Sequence, residues 1–496
     1  MNHKIRVAYI SAEASPYAKS GESADVASAL PKYLANLGME VSLFMPKYRK
    51  PEIESLPQEL IMADLKVPLG SRKVKARVYK SELGKYDVYF VDNPKYFWRE
   101  NIYGTGKGEY LDNDERFIFF NRAVIEFLVK AQIKVDIIHC NNWPTALIPV
   151  FLKTHYSHKA LFRNVATVFT LHNIAYQGEF PAESLALTGL NWEYLSCRQV
   201  SFNGKFNFLR TGLLFCDVLN TVSRAYKREI LTDKYCFGLK DVLAKRKNVL
   251  YSIRNGIDYE IWNPETDPYL VANYNYSNLK PKKKCKQDLI QEFGLSISLN
   301  TPLIGIVSYL SYQKGFDILI EAMDELMTQD VGLVILGKGD EQYEKKFLEL
   351  QSKYPKKLGV KLEMNPALAH KVVAGADIFL IPSLYEPCGL SQLYSFRYGT
   401  VPVVRGTGGL GETVRPFRAE RLTGNGFVFR TYSARALLKA LKEALSYYHQ
   451  PRLWQQIIKA GLQEDFSWQA AARRYAKLYH KALVIKKGEK IGRKYQ

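Results

Sequence analysis

The sequence predicts an α/β fold of two Rossmann-like halves, each a doubly wound parallel sheet. Three observations predict it. Short apolar runs alternate with stretches of helical periodicity in both halves of the chain. The runs are apolar throughout instead of alternating with polar residues, which is how strands covered on both faces read. And 496 residues are too many for one compact core, so two or three domains are expected.

The first half opens on the run Ile5–Ile10. A glycine turn and the helical stretch Ala24–Leu37 follow, Gly38 stops the helix, and Glu40–Met45 is the next strand, a βαβ unit. Further strands are expected at Val88–Val91, Ile137–His139, Thr167–Leu171 and Val218–Asn220, with a helix over Asp114–Lys130. The second half reads as strand Leu303–Tyr309, helix Phe316–Met327, then strands Leu333–Leu336, Ile378–Ile381 and Val401–Val404. The hinge is placed near Asn255–Pro264. That gives domains over 1–255 and 256–466 and a terminal segment 467–496, helical over Ser467–Leu483 and ending in a basic tail. Ligands of such sheets sit beyond the carboxyl ends of the strands, so two halves facing each other make one interdomain cleft.

With 47% hydrophobic and 24% charged residues the composition is that of an ordinary globular protein. No run of about 18 apolar residues occurs, so no membrane helix is expected. The run Ile5–Ile10 is too short, and ended too soon by Glu13, for a signal peptide, which points to the cytoplasm. Cys140, Cys197, Cys216, Cys236, Cys285 and Cys388 are scattered with no Cys-x-x-Cys pair. They fit reduced thiols better than a disulfide framework or a zinc site. The net charge of +21 raises the question of nucleic acid. The basic residues are spread out, however, apart from Lys280-Pro281-Lys282-Lys283-Lys284 and the tail after Val484, and no nucleic-acid-binding motif is present. The charge is read as surface composition plus a cleft for an anionic ligand, with neither nucleic acid nor membrane as partner.

Four segments carry candidate chemistry. Ser383-Leu384-Tyr385-Glu386-Pro387-Cys388-Gly389-Leu390-Ser391-Gln392-Leu393 follows the run Ile378–Ile381 and reads as a strand, a tight turn with one carboxylate, and a helix. The turn puts Glu386 just before a helix N-terminus, where free N–H groups favour anionic or hydroxyl-rich ligands; a capped helix is the plain alternative. Lys19-Ser20-Gly21-Glu22-Ser23-Ala24-Asp25-Val26 is a glycine turn whose N–H groups and Lys19 suit a diphosphate, or an ordinary turn. Phe169-Thr170-Leu171-His172-Asn173-Ile174-Ala175-Tyr176-Gln177-Gly178 puts a histidine at a strand end, where a structural role competes with a catalytic one. Gln313-Lys314-Gly315 puts a lysine at a strand-to-helix turn, where it can neutralise phosphate as a point charge or simply be solvated.

Together these segments resemble the bacterial glycogen (starch) synthases, glycosyltransferase family 5. Their text reads Pro-Ser-Arg-Phe-Glu-Pro-Cys-Gly-Leu-Thr-Gln-Leu-Tyr around Glu386, Lys-Thr-Gly-Gly-Leu-(Ala/Gly)-Asp-Val at Lys19, Thr-Val-His-Asn-Leu-Ala-Tyr-Gln-Gly at His172 and Ser-Arg-Leu-x-x-Gln-Lys-Gly at Lys314. The resemblance covers nearly the whole chain. It implies the GT-B fold, with the last helix crossing back to the first domain, and retaining transfer of glucose from ADP-glucose to the non-reducing end of an α-1,4-glucan such as glycogen, without metal or other cofactor. It implies that Glu386 and His172 stabilise the oxocarbenium-like sugar and that Lys314 and Lys19 hold the diphosphate. Gly21, Asp25, Asn255, Cys388, Gly389, Leu390, Thr407 and Gly408 match its substrate-binding positions.

The chain departs from that pattern in functional text. Glu22 stands for the second glycine and Ser23 for the leucine of the first loop. Asn142 and Pro144, in His139-Cys140-Asn141-Asn142-Trp143-Pro144-Thr145, replace an aspartate and a histidine of His-x-His-Asp-Trp-His-Thr, and an amide neither accepts a proton nor carries charge. Met364 replaces a tyrosine that stacks on the nucleobase, and Leu384 an arginine beside Glu386. Tyr309 replaces an arginine, exchanging a bidentate charged clamp for one neutral hydrogen bond. Lys338, in Leu336-Gly337-Lys338-Gly339-Asp340, stands where the family has a small residue; it partly restores that charge or is a solvated lysine. Three readings follow: a working synthase, a glucan-binding or regulatory relative with impaired catalysis, and a related glucosyltransferase with an altered donor.

Overall fold

A computed structural model of the chain describes residues 4–105, 108–193 and 200–494. It divides into two compact units. The first takes the described residues up to Val222, Lys227–Arg254 and the last helix; the second takes Ser223–Tyr226 and Asn255–Ser467.

The first unit is built on a nine-stranded sheet. Its strands are β1 (Arg6–Ile10), β2 (Glu40–Pro46), β3 (Glu59–Leu69), β4 (Arg72–Leu83), β5 (Tyr86–Asp92), β6 (Ile137–Asn141), β7 (Ala166–Leu171), β8 (Val218–Thr221) and β9 (Leu250–Ser252). Their order is β9-β8-β7-β6-β1-β2-β5-β4-β3, parallel from β9 through β5. Every residue of β6, β7 and β8 is buried, as the apolar runs require of strands covered on both faces. The helix Glu22–Asn36 follows β1, and Asn113–Lys130 precedes β6. The last helix is longer than the expected Ser467–Leu483, running over Trp468–Lys494. It buries Tyr475 and Tyr479 completely, and their hydroxyls bond Asn220 Nδ2 at 3.0 Å and His139 Nδ1 at 2.8 Å.

The edge hairpin β3–β4 is antiparallel and was not among the expected elements. Its signal is the strict alternation Lys73-Val74-Lys75-Ala76-Arg77-Val78, a period-two pattern that buries Ala76 and Val78 and turns cations outward.

The second unit holds a six-stranded, all-parallel sheet: β10 (Leu303–Val307), β11 (Gly332–Leu336), β12 (Leu358–Lys361), β13 (Ile378–Ile381), β14 (Val401–Arg405) and β15 (Phe427–Phe429). Their order is β12-β11-β10-β13-β14-β15. The helix Phe316–Met327 lays Phe316, Leu319, Met323 and Met327 on the sheet at i, i+3, i+7 and i+11, the stripe of an amphipathic helix. Truncating one such side chain, Leu319→Ala, costs about 2–5 kcal/mol. The expected strand Leu303–Tyr309 ends at Val307, which leaves Tyr309 beyond the sheet. In the basic run 280–284, Lys280, Lys283 and Lys284 are exposed, but Lys282 turns inward. Lys282 Nζ donates to Ala374 O at 2.6 Å and Thr400 Oγ1 at 2.7 Å, and buried Lys286 pairs with Asp377 at 2.6 Å. Among the described residues no helix is long and apolar enough to cross a membrane. Five of the six cysteines are buried free thiols, and Cys197 lies outside the described residues.

Candidate active site

Strand order locates a candidate site in each unit. In an open parallel sheet, neighbouring strands whose connections run to opposite faces leave a crevice at their carboxyl ends. The first sheet reverses between β1 and β6, the second between β10 and β13. Most of the sequence-predicted residues lie on the loops that leave these four strands.

At the first reversal, the loop after β1 is organised by Glu13, a residue the sequence reading passed over. Its buried carboxylate accepts Ser20 N at 2.6 Å, Ser20 Oγ at 2.7 Å, Gly21 N at 3.3 Å and Ser23 Oγ at 2.5 Å. Burial raises its pKa and these hydrogen bonds oppose the rise. Ser23 therefore takes part in holding the loop. Lys19 Nζ reaches both carboxylate oxygens of Asp25, at 2.8 and 2.7 Å, in the first turn of the following helix. Gly21 precedes that helix with open space around its Cα, and Glu22 is its first residue, half-buried.

The loop after β6 supplies Asn141 and Asn142. Asn141 Nδ2 donates to Ile10 O at 3.0 Å, which fixes its amide and leaves Oδ1 as acceptor. That oxygen receives Tyr9 O–H at 3.0 Å and lies 2.9 Å from His172 Nε2. His172 is 8% exposed, and burial pushes its pKa down to about 4, so at neutral pH the ring is uncharged. The neutral tautomer that satisfies Asn141 carries its proton on Nε2 and leaves Nδ1 an acceptor. Asn142 Oδ1 accepts the His172 backbone N–H at 2.9 Å, a contact that needs an acceptor oxygen and not a charge. Its backbone, at φ 56° and ψ −178°, is strained for a non-glycine residue. Behind this layer His139, whose pKa burial lowers to about 3, bonds Thr170 Oγ1 at 2.7 Å. Asn141 is the second residue missed; in the quoted family text its position is a histidine.

At the second reversal, Lys314 Nζ donates to Glu386 Oε2 at 2.7 Å. Glu386 is 4% exposed and also accepts Ser383 Oγ at 3.1 Å. The two loops are tied by Leu384 N to Gln313 O at 2.8 Å and Gln313 Nε2 to Tyr385 O at 3.3 Å. From below, Arg405 Nη1 reaches Leu384 O at 2.5 Å. Glu386 does not cap a helix, which sets aside the plain alternative, and the helix starts further along than the sequence reading placed it. The helix begins at Ser391 with Leu390 as its cap, so the carboxylate turns to Lys314 instead. Thr407 stands at the N-cap position of the short helix Gly408–Thr413. A Cβ at Gly408 would strike Glu386 O and one at Gly409 would strike Cys388 O, so this pair must be glycine for the 407–409 turn to lie on the 386–388 turn. Gly409 N donates to Glu386 O at 3.0 Å. Cys388, Gly389 and Leu390 are all buried in that turn.

The remaining positions are less enclosed. Tyr309 is 52% exposed beyond β10 and Met364 is 65% exposed beyond β12. Lys338 is exposed beyond β11 and makes no side-chain hydrogen bond or ion pair with the described residues. Asn255 is buried, and its Oδ1 has no hydrogen-bond partner among the described residues. The arrangement offers a neutral hydrogen-bonding site in one unit and a carboxylate–ammonium pair in the other, both where open α/β sheets take ligands.

Known proteins match this chain nearly end to end. Residues 6–245 match the family described as starch synthase catalytic domain, and residues 289–463 the one described as glycosyl transferases group 1. A protein named glycogen synthase from Koribacter versatilis is 41% identical over 97% of this chain and 99% of its own. Another from Thermotoga maritima is 42% identical over 99% and 100%, and one from Geobacillus stearothermophilus 40% identical over 98% and 99%. The solved catalytic domain of starch synthase IV from Arabidopsis thaliana, bound to ADP and acarbose, is similar with a TM-score of 0.91 and 30% identity, covering 97% of this chain and 100% of that one. Sucrose-phosphate synthase from Thermosynechococcus elongatus, at TM-score 0.62 and 18% identity over 97% of this chain and 100% of its own, shares the fold.

Proposed function

This chain belongs to the glycogen (starch) synthase family of glycosyltransferases and has their GT-B fold, and on that premise we propose that it transfers glucose, with retention, from ADP-glucose to the non-reducing end of an α-1,4-glucan. The observation that carries the proposal is the match of about 40% identity to glycogen synthases over nearly all of both chains. The starch synthase whose structure was solved with ADP and acarbose supports the same donor and acceptor classes. The cytoplasm is the proposed location.

The reading gives each residue a task its surroundings support. Glu386, buried and negatively charged beside Lys314, is suited to favour a developing positive charge on the transferred glucose. Lys314 neutralises the leaving diphosphate, and Lys19 adds charge from its loop. His172 is neutral, so it serves as a hydrogen-bonding and dipolar group towards the sugar rather than as an acid. Lysines meet the diphosphate charge, and the reading calls for no metal.

The test is incorporation of labelled glucose into glycogen by the purified chain from ADP-glucose and, in parallel, UDP-glucose, with Glu386→Ala as control. Incorporation from ADP-glucose that vanishes in the control is the expected result. One observation favours a second reading: at the end of β10 the chain presents Tyr309, a neutral and half-exposed side chain. No incorporation from either donor, with glycogen still bound, would replace the synthase by a glucan-binding relative; incorporation from UDP-glucose alone would replace the donor.

A further inference from the structure

Across the four central strand ends of the second sheet, the cations are unequally committed. After β10, Lys314 is held by Glu386 at 2.7 Å. At the end of β14, Arg405 is buried against Ser383 O at 3.3 Å and Leu384 O at 2.5 Å. After β11 stands Lys338, exposed and without a side-chain partner among the described residues.

Its place is fixed by backbone. β10 and β11 pair in a constant register that runs from Leu303↔Gly332 to Val307↔Leu336, and the bridge Leu310↔Gly339 continues it past the strand ends. Lys338 is therefore the register neighbour of Tyr309. Leu310 N donates to Lys338 O at 3.1 Å and Asp340 N to Leu310 O at 2.7 Å, so the two turns are stitched together. A Cβ at Gly337 would strike Ser308 O, and one at Gly339 would strike Leu310 O. The turn thus lies flat on its neighbour through two glycines, with one side chain between them, and that side chain is the lysine.

We infer that Lys338 is the free cation that takes the nucleotide's diphosphate at this reversal, in the position that an arginine at Tyr309 would otherwise serve. The inference rests on the donor being a nucleoside diphosphate sugar, as proposed above. Adjacent strands lie about 4.8 Å apart, so the flexible four-carbon stem of Lys338 spans the one strand that separates it from the β10–β13 crevice. Lys314 is already paired with Glu386, and a diphosphate, multiply charged, is better met by a second donor. The arrangement also predicts exchange: a guanidinium at 309, on the neighbouring register position, reaches the same anion.

The test uses the full-length chain as wild type, Lys338→Ala, Tyr309→Arg and the double variant. ADP and UDP binding is followed by calorimetry and adenosine binding by ligand-observed NMR. Lys338→Ala is expected to weaken the favoured diphosphate about tenfold, the worth of one charge-assisted contact, while leaving adenosine binding and the melting temperature unchanged. Tyr309→Arg added to Lys338→Ala is expected to recover most of the loss, and to gain less in the wild-type background. Diphosphate affinity unaltered in Lys338→Ala, an equal loss for adenosine, or no recovery in the double variant overturns the inference. If wild type transfers glucose and Lys338→Ala binds as wild type does, this inference fails alone. If wild type binds neither diphosphate, the proposed donor fails and this inference with it.

Discussion

The two reversal points hold their side chains by different means. At the first, Tyr9, Asn141, Asn142 and His172 are joined by neutral hydrogen bonds between 2.9 and 3.0 Å, with the histidine uncharged. The ion pair of Lys19 with Asp25 is on the exposed lip, where such pairs contribute little. At the second, a buried carboxylate is matched by an ammonium at 2.7 Å. A network of neutral groups fixes orientation and is indifferent to salt. A buried charge pair stores electrostatic potential and responds strongly when one partner is removed. The first region is thus built to orient a sugar and the second to stabilise charge, and substitutions should separate the two.

The largest effect is expected at the second region. Glu386→Ala should lower turnover by about 10²–10³ or more, the cost of removing a preorganised charge from a transition state. It also releases Lys314, so ADP should bind at least as tightly as before. Turnover and ADP titration measured together check this; unchanged turnover would end the assignment of Glu386 to catalysis. Lys314→Ala comes next. It should weaken ADP by about tenfold or more and also cost stability, because the Glu386 carboxylate is left buried with the Ser383 hydroxyl. Lys314 is partly exposed, so a loss of about 1–3 kcal/mol in urea denaturation is expected, less than for a fully enclosed pair.

The first region should announce itself through pH instead. His172 and His139 have folded pKa values of about 4 and about 3, both below the ordinary histidine value. Between those values and about 6.5 the unfolded chain binds protons that the folded chain refuses, so stability rises with pH across this window. Their contribution is complete above about pH 6.5 and is lost as pH falls towards 4, at up to about 1.4 kcal/mol per pH unit for each ring. The melting temperature should fall steadily on acidification from 6.5 to 4, and His139→Gln should make that fall shallower. A flat profile over this range would mean that the rings are charged in the fold.

Much of this architecture is written in the chain. Apolar runs located the parallel strands other than the short β9, β12 and β15 and, with them, the strand ends that carry Lys314, Glu386, Lys19 and His172. What the sequence does not carry is who meets whom. Lys314 and Glu386 are 72 residues apart, and their pairing depends on β10 and β13 being neighbours at the reversal. Glu13 and Asn141 escaped notice for the same reason: each is a single polar residue at a strand end, and its importance lies in partners brought by other strands. The basic run does not show that Lys282 and Lys286, four apart on one helix, share the face turned into the unit. The β3–β4 hairpin was missed because its alternate lysines hide a period-two apolar face.

The smallest expected effect sharpens the comparison most. Asn142→Asp puts a charge into the neutral region while keeping an oxygen where Asn142 Oδ1 meets His172 N. The backbone contact should survive, so stability at pH 7 should change by no more than about 1 kcal/mol. A carboxylate this close favours the imidazolium, so the His172 pKa should rise from about 4 towards the ordinary range. The unfolded chain then has less proton uptake in excess of the folded one, and the acid loss of stability should shrink. NMR titration of the His172 ring and melting curves from pH 4 to 7 measure both. An unmoved ring pKa would show that the 142 side chain has turned away from His172, and that the neutral region is held by Asn141 and Tyr9 alone.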